Sequence, residues 1–400
     1  MDKYYIWLLL ALGEGEPEIP RLLKQFGDPE KVYDAFAGNM ALVGQELSAK
    51  AAKVKLETAE ETLENILADG YSIMTIDSPD YPEHLKKQAN PPCVLFLHGE
   101  RSLLNKKLVT VVGSRAVTDY TVSVLPKIIS SIGSEFAVVG TLSEGCDQLT
   151  CLNALRSGIS FIEVLPCGFS STYPSGSKTL RRFLIESGGL VISEFLPKER
   201  ANQGNFLKRS RIIGGISYVT LVLQASAKSG SLATAEYSLA PIFVPPNDIF
   251  TAAYAGAVTA VRNGAKLYMS PADIGKAYDR GVAKEKDLGK DAAQKHTFRK
   301  RNAPAKQDKK QLAGPEQPAV QEKPAVVEKA ENAENTSVGF ESSEHSAVYE
   351  AIKSAASPVG AEELIGITGI DAARVSEILL DLEIGGNIAS SAGRYKIIDN

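Results

Sequence analysis

Cysteine is scarce. Cys93, Cys146, Cys151 and Cys167 are the four in 400 residues, too few and too scattered for a disulfide scaffold. Histidine is as rare, and none of the four lies within 25 residues of the Cys146 and Cys151 pair. That excludes the usual zinc-ligand spacings and leaves no metal site to assign. An excess of one charge is missing too: 44 Lys and Arg against 48 Asp and Glu leave a net charge of -4. Any nucleic-acid surface must therefore be local. Long apolar runs are absent. Ile6–Leu12 is too short to span a bilayer. Asp2 cancels Lys3, and Gly13-Glu14-Gly15-Glu16-Pro17 stands where the small residues of a cleavage site belong. The run reads as the buried first helix of a cytoplasmic protein without a membrane span, not as a signal peptide.

What is present falls into four stretches. Residues 1–70 read as a small helical domain, with amphipathic Ile19–Phe26 and Pro29–Ala37 separated by Gly27-Asp28 and followed by a long charged helix over Leu47–Ala68. Residues 71–275 alternate short apolar runs with helical stretches. Strands are expected at Leu108–Val112, Phe136–Val139, Phe161–Leu165, Leu190–Ser193, Val219–Gln224 and Ile242–Val244. Helices are expected at Tyr120–Ile132, Asp147–Ser157, Ser177–Glu186, Arg209–Ile216 and Ser231–Leu239. Apolar strands without clean alternation, separated by helices, predict an α/β core with an extended Rossmann-like, doubly wound parallel sheet. Residues 276–344 lose that periodicity. Ten Lys and Arg face four Asp and Glu over 284–310, and seven Glu face two Lys over 316–344. Such a composition predicts a disordered charged linker. Over residues 345–400, helices at Ser346–Ala355, Ala361–Gly366 and Ala372–Leu382 and a hairpin over Asn387–Ile398, turned at Ala392-Gly393, follow the winged-helix plan.

Ligands of open parallel sheets bind beyond the carboxyl ends of the strands. There the sequence carries Gly113-Ser114-Arg115, the Gly140–Asp147 loop, Pro166-Cys167-Gly168-Phe169, and Lys228-Ser229-Gly230-Ser231. Each carries glycine, three of the four combine it with serine or threonine, and each opens a helical stretch, a composition suited to phosphates. Short strand-to-helix turns also favour these residues for their geometry alone. A second feature is basic: Lys198, Arg200, Lys208, Arg209 and Arg211 face Glu199 alone, with Asn205 and Phe206 among them. Cations beside an aromatic platform suit single-stranded nucleic acid, although such runs are more often solvated faces. There is no Gly-x-x-x-x-Gly-Lys phosphate loop, no Gly-x-Gly-x-x-Gly, and no Ser/His/Asp or Cys/His set. No catalytic residue and no cofactor is assigned. The residues leave open a small-ligand Rossmann enzyme or nucleotide sensor using Glu144 and Asp147.

Val112-Gly113-Ser114-Arg115, Gly140–Asp147, Val164–Gly168 with Tyr173-Pro174, Asn205–Ser217 and Lys228–Ala235 resemble the DNA-processing protein A (DprA/Smf) family. Asp80-Tyr81-Pro82 and Pro91–Phe96 fit its lead-in to the sheet. The likeness runs over nearly the whole chain, including a SAM or helix-hairpin-helix-like N-terminal domain. The resemblance implies a non-enzymatic, homodimeric protein that binds single-stranded DNA during natural transformation and loads RecA recombinase onto it. Carried over by position, Arg115, Lys208, Arg209 and Arg211 would contact phosphates. Gly113, Ser114, Gly168 and Ser229–Ser231 would shape the pocket, with Asn205, Phe206 and Lys228 beside them. The chain departs from the family pattern at Glu144 for arginine, Ser210 for asparagine, Leu207 for proline and Cys151 for histidine. The expected winged-helix recognition segment carries Asp371, Glu377, Asp381 and Glu383 against Arg374, a sign suited to a protein partner rather than to a DNA groove. Glu144 is expected to face the same ligand as Arg115.

Overall fold

A computed structural model describes residues 1–38, 44–288, 343–355 and 357–370. Beyond these it describes residues 374, 375, 378, 379, 382, 387–391 and 394–397. Among the described residues, nine strands form one sheet: β1 Ser72–Thr75, β2 Val94–Gly99, β3 Lys107–Val112, β4 Phe136–Gly140, β5 Ser160–Val164, β6 Leu190–Ser193, β7 Thr220–Val222, β8 Ile242–Val244 and β9 Lys266–Leu267. Their order is β1-β2-β6-β5-β4-β3-β7-β8-β9. The seven strands from β6 to β9 run parallel, and β1 and β2 add an antiparallel flank. The central strands read as unbroken apolar runs because both faces are covered. Helices Asp119–Ser130, Cys146–Arg156 and Lys178–Glu186 contribute to the core on one face. Gln203–Gly215, Gly230–Glu236 and Ala255–Arg262 contribute to the core on the other.

The two antiparallel strands escape the sequence pattern. Ser72–Thr75 is short and gains its partner, Val94–Gly99, only across the 18 residues that precede Val94. The N-terminal domain differs in one element: the expected Leu47–Ala68 helix is two helices, Gln45–Ala51 and Leu56–Ala68. The break is fastened from outside, since the Trp7 indole Nε1 donates to the carbonyl of Val54 at 2.9 Å. Trp7 also packs edge-on against Tyr33 and Phe36 at 4.9 and 5.5 Å. Asp2–Leu12 is a buried helix at the centre of this cluster, which continues into Cys93, Val94 and Phe96 of the sheet domain. No described helix is long and apolar enough to cross a membrane.

The charged stretch begins later than its composition suggests. Helix Pro271–Leu288 runs through its first residues, because Ile274 and Ala277 are buried on the sheet. Tyr278 adds edge contacts to Phe136 and Tyr218. The expected disorder of 289–342 lies outside the described residues. The C-terminal unit is a winged helix, with helices Ser343–Ser354 and Ala361–Thr368 and an antiparallel sheet of Val359–Gly360, Arg394–Ile397 and Ile388–Ser391. Val348, Ile352, Leu364, Ile378 and Leu379 form its core. The expected turn at Ala392-Gly393 and the acidic residues Asp371, Glu377, Asp381 and Glu383 lie outside the described residues.

Candidate functional site

The winding of the sheet reverses at β3, whose neighbours are β4 on one side and β7 on the other. Loops leaving β3 and β7 part to opposite faces there and open a crevice. A cleft of about 430 Å³ occupies it. Its floor is the meeting of two loops. Gly113 has no room for a side chain, since a Cβ would lie 2.4 Å from that of Cys146. Gly145 adopts φ +83°, and a Cβ there would meet the Arg115 carbonyl oxygen at 2.1 Å. Glycine is thus needed at both positions for the loops to touch. The Cys146 amide then donates to the Ser114 carbonyl at 3.0 Å. The third loop is tied in by Ser231, whose hydroxyl donates to the Gly113 carbonyl at 2.8 Å.

Asp147 sits beneath these loops. Its carboxylate accepts the Gly113 amide at 3.2 Å and the Thr141 hydroxyl at 2.5 Å. Burial pushes its pKa up to about 6, against the pull of Thr141 and the positive charge of Arg209. The fourth wall is helix Gln203–Gly215. Asn202 caps it by accepting the Asn205 amide at 3.0 Å. Phe206, Arg209 and Ser210 project from one side of it into the cleft, as the i, i+3, i+4 spacing requires. The Arg209 guanidinium lies over the Phe206 ring at 5.0 Å, and its Nε is buried with no hydrogen-bond partner. Tyr173 stands edge-on to Phe206 at 4.9 Å and accepts a hydrogen bond from Arg115 Nη2 at 3.3 Å. Tyr173 is held in turn by Arg181, which donates to its carbonyl at 2.7 Å while paired to buried Glu163. The site is therefore two guanidinium groups and two aromatic rings above one buried carboxylate, ringed by serines and glycines.

Residues 72–279 match the family model described as DNA recombination-mediator protein A, and residues 328–394 match the DprA winged helix domain. The chain belongs to the DprA/Smf family. It is 32% identical to the DNA processing protein DprA of Streptococcus pneumoniae over 197 residues, which are 48% of this chain and 70% of that protein. With the Bacillus subtilis DNA processing protein DprA it shares 30% over 238 residues, 57% of this chain and 80% of that one. The crystal structure of the pneumococcal protein superposes with a TM-score of 0.61 at 25% identity, covering 70% of this chain and 98% of that chain.

Eight residues expected from the family's motifs line the cleft: Gly113, Ser114, Arg115, Phe206, Arg209, Ser229, Gly230 and Ser231. Five do not. Arg211, expected on phosphate, is instead buried in an ion pair with Glu194. Lys208 is turned the same way, donating to the Glu14 carbonyl at 2.6 Å and to the Glu16 carboxylate at 3.0 Å. Asn205 is buried and fastens the helix start to Glu199 and the Arg200 carbonyl. Gly168 is required by packing, because a Cβ would meet the Leu196 carbonyl at 2.0 Å. Lys228 is exposed, one residue before the lining. Glu144 is likewise exposed and outside the lining, because Ser143 and Asp147 turn inward around the Thr141 hydroxyl and leave the loop tip outward. Thr141, Ser143, Ser210, Ser226 and Thr234 were not singled out for the site, yet line it. Only their place in strand-to-helix loops or at helical spacing from Phe206 and Ser231 could have shown them.

Proposed function

We propose that this cleft binds single-stranded DNA without catalysing a reaction on it, and that the protein delivers the strand to RecA recombinase in the cytoplasm. The single observation that carries the reading is the cluster of Tyr173, Phe206 and Arg209 beside Arg115. Aromatic faces accept any base, and guanidinium groups follow the phosphates. Membership of a family whose relatives are named DNA processing proteins supports it. The dimeric state, the role in transformation and a protein partner for the winged helix are part of the same proposal. The test is a titration of the full chain with poly-dT of graded length. Affinity should grow with length and fall with salt. Phe206→Ala and Arg115→Ala should each weaken it for every sequence alike. Length-independent binding would overturn the reading.

A second reading is favoured by Asp147. A buried carboxyl with its pKa raised to about 6 could act as an acid or base on a small phosphorylated ligand. Tight binding of a mononucleotide, unaffected by competing poly-dT, would support that reading in place of the first.

A further inference from the structure

Beyond the Pro166–Pro174 loop lies a second recess of about 350 Å³. Its position follows from how the sheet is covered. The N-terminal domain packs on Phe96 and Ile73 at one end of a face, while Leu180 and Leu184 of helix Lys178–Glu186 pack on the core beneath the other. His98, in register with Val191 of β6, stays open between them. Tyr71, His98 and Phe169 form a half-buried aromatic group there. Tyr71 lies 4.6 Å from Phe169 and 5.3 Å from His98, and His98 lies 6.0 Å from Phe169. Lys178 and Arg182 line the same recess one helical turn apart. Both are exposed, and neither forms an ion pair or hydrogen bond with another described residue. Glu186 is the one carboxylate in the lining, and Arg181 is already committed to Glu163.

The two recesses share a partition. Phe169 and Tyr173 stand four residues apart on one loop, Phe169 toward this recess and Tyr173 against Arg115 and Phe206 of the cleft. Arg181 fixes the loop through the Tyr173 carbonyl. We propose that the second recess is a further single-strand subsite, in which the Tyr71, His98 and Phe169 group stacks a base and Lys178 and Arg182 hold the adjoining phosphates of a strand leaving the cleft. This rests on the strand-binding reading of the cleft and extends it. Aromatic faces beside unpaired cations are the combination that sequence-tolerant strand binding uses.

The experiment compares a short poly-dT of about 5 nucleotides, sized for the cleft alone, with one of about 15 that can reach both recesses. The double variant Lys178→Ala, Arg182→Ala should bind the short oligomer as the unaltered protein does. It should bind the long one about tenfold more weakly at low salt, with the slope of log affinity against log salt reduced by about 1.4 for two lost contacts. Phe169→Leu should weaken the long oligomer about fivefold with the slope unchanged. Unchanged long-oligomer binding in both variants would overturn the subsite, as would an equal loss for both lengths. Failure of the cleft itself is read separately, as short-oligomer affinity that Arg115→Ala and Phe206→Ala do not alter.

Discussion

The two sides of helix Gln203–Gly215 use the same kind of residue for opposite ends. On one side, Arg209 reaches the cleft beside Phe206. On the other, Arg211 is spent on Glu194 within the sheet domain, and Lys208 on Glu14 and Glu16, joining the N-terminal domain to the sheet domain. Of the five cations Lys198, Arg200, Lys208, Arg209 and Arg211, only Arg209 lines the cleft. The local excess of positive charge therefore overstates the positive surface offered to a ligand. Charge counts along a chain report field only where no carboxylate is folded against them.

The contrast breaks most sharply at Arg211. Its removal strands Glu194 as a buried charge without its ion-pair partner, which costs about 3–5 kcal/mol. Arg211→Ala should therefore lower the denaturation midpoint by far more than any cleft variant. The protein that remains folded should keep its strand affinity and its salt slope. A normal midpoint with a reduced slope would move Arg211 back to the ligand. Next in size is Phe206→Ala, which should reduce single-strand affinity by the value of one stacked base, about 1–3 kcal/mol, with little change in the midpoint. Arg115→Ala should lower the salt slope by about 0.7, whereas Lys208→Ala should leave it unchanged. Equal slopes for these two variants would erase the distinction between the two sides.

Smaller effects sharpen the picture. Asp147 has its pKa raised on folding, so its contribution to stability is full below the ordinary carboxylate range and is lost as pH rises through about 6. A bound phosphate favours the same protonated form. Strand affinity should therefore rise a few-fold as pH falls from about 7 to 5.5, and Asp147→Asn should flatten that rise. A pH profile identical in both proteins would separate Asp147 from the ligand. The smallest effect is expected at Glu144. Because the side chain is exposed and outside the cleft lining, Glu144→Arg should change affinity by less than about twofold at physiological salt. A larger gain would return the loop tip to the binding surface.

Much of this molecule is legible along the chain. Apolar runs at Leu108–Val112, Phe136–Val139 and Leu190–Ser193 announce buried parallel strands, because a strand covered on both faces needs no polar alternation. Gly113-Ser114-Arg115 and Ser229-Gly230-Ser231 are legible as site loops because the ends of parallel strands are where such a fold has room. By itself, then, the sequence determined the layered sheet, the loops that rim its crevice and the winged-helix plan at the end of the chain, since each is written in local spacing. Tertiary structure alone decided which cations face the crevice. Lys208, Arg209 and Arg211 are near neighbours in sequence, but a helix sends them around its circumference, and Glu194 and Glu14 come from distant segments to claim two of them. Only folding brings Tyr173, Arg181 and Glu163 together behind Phe206, because contacts between separate elements leave no periodic trace in the chain.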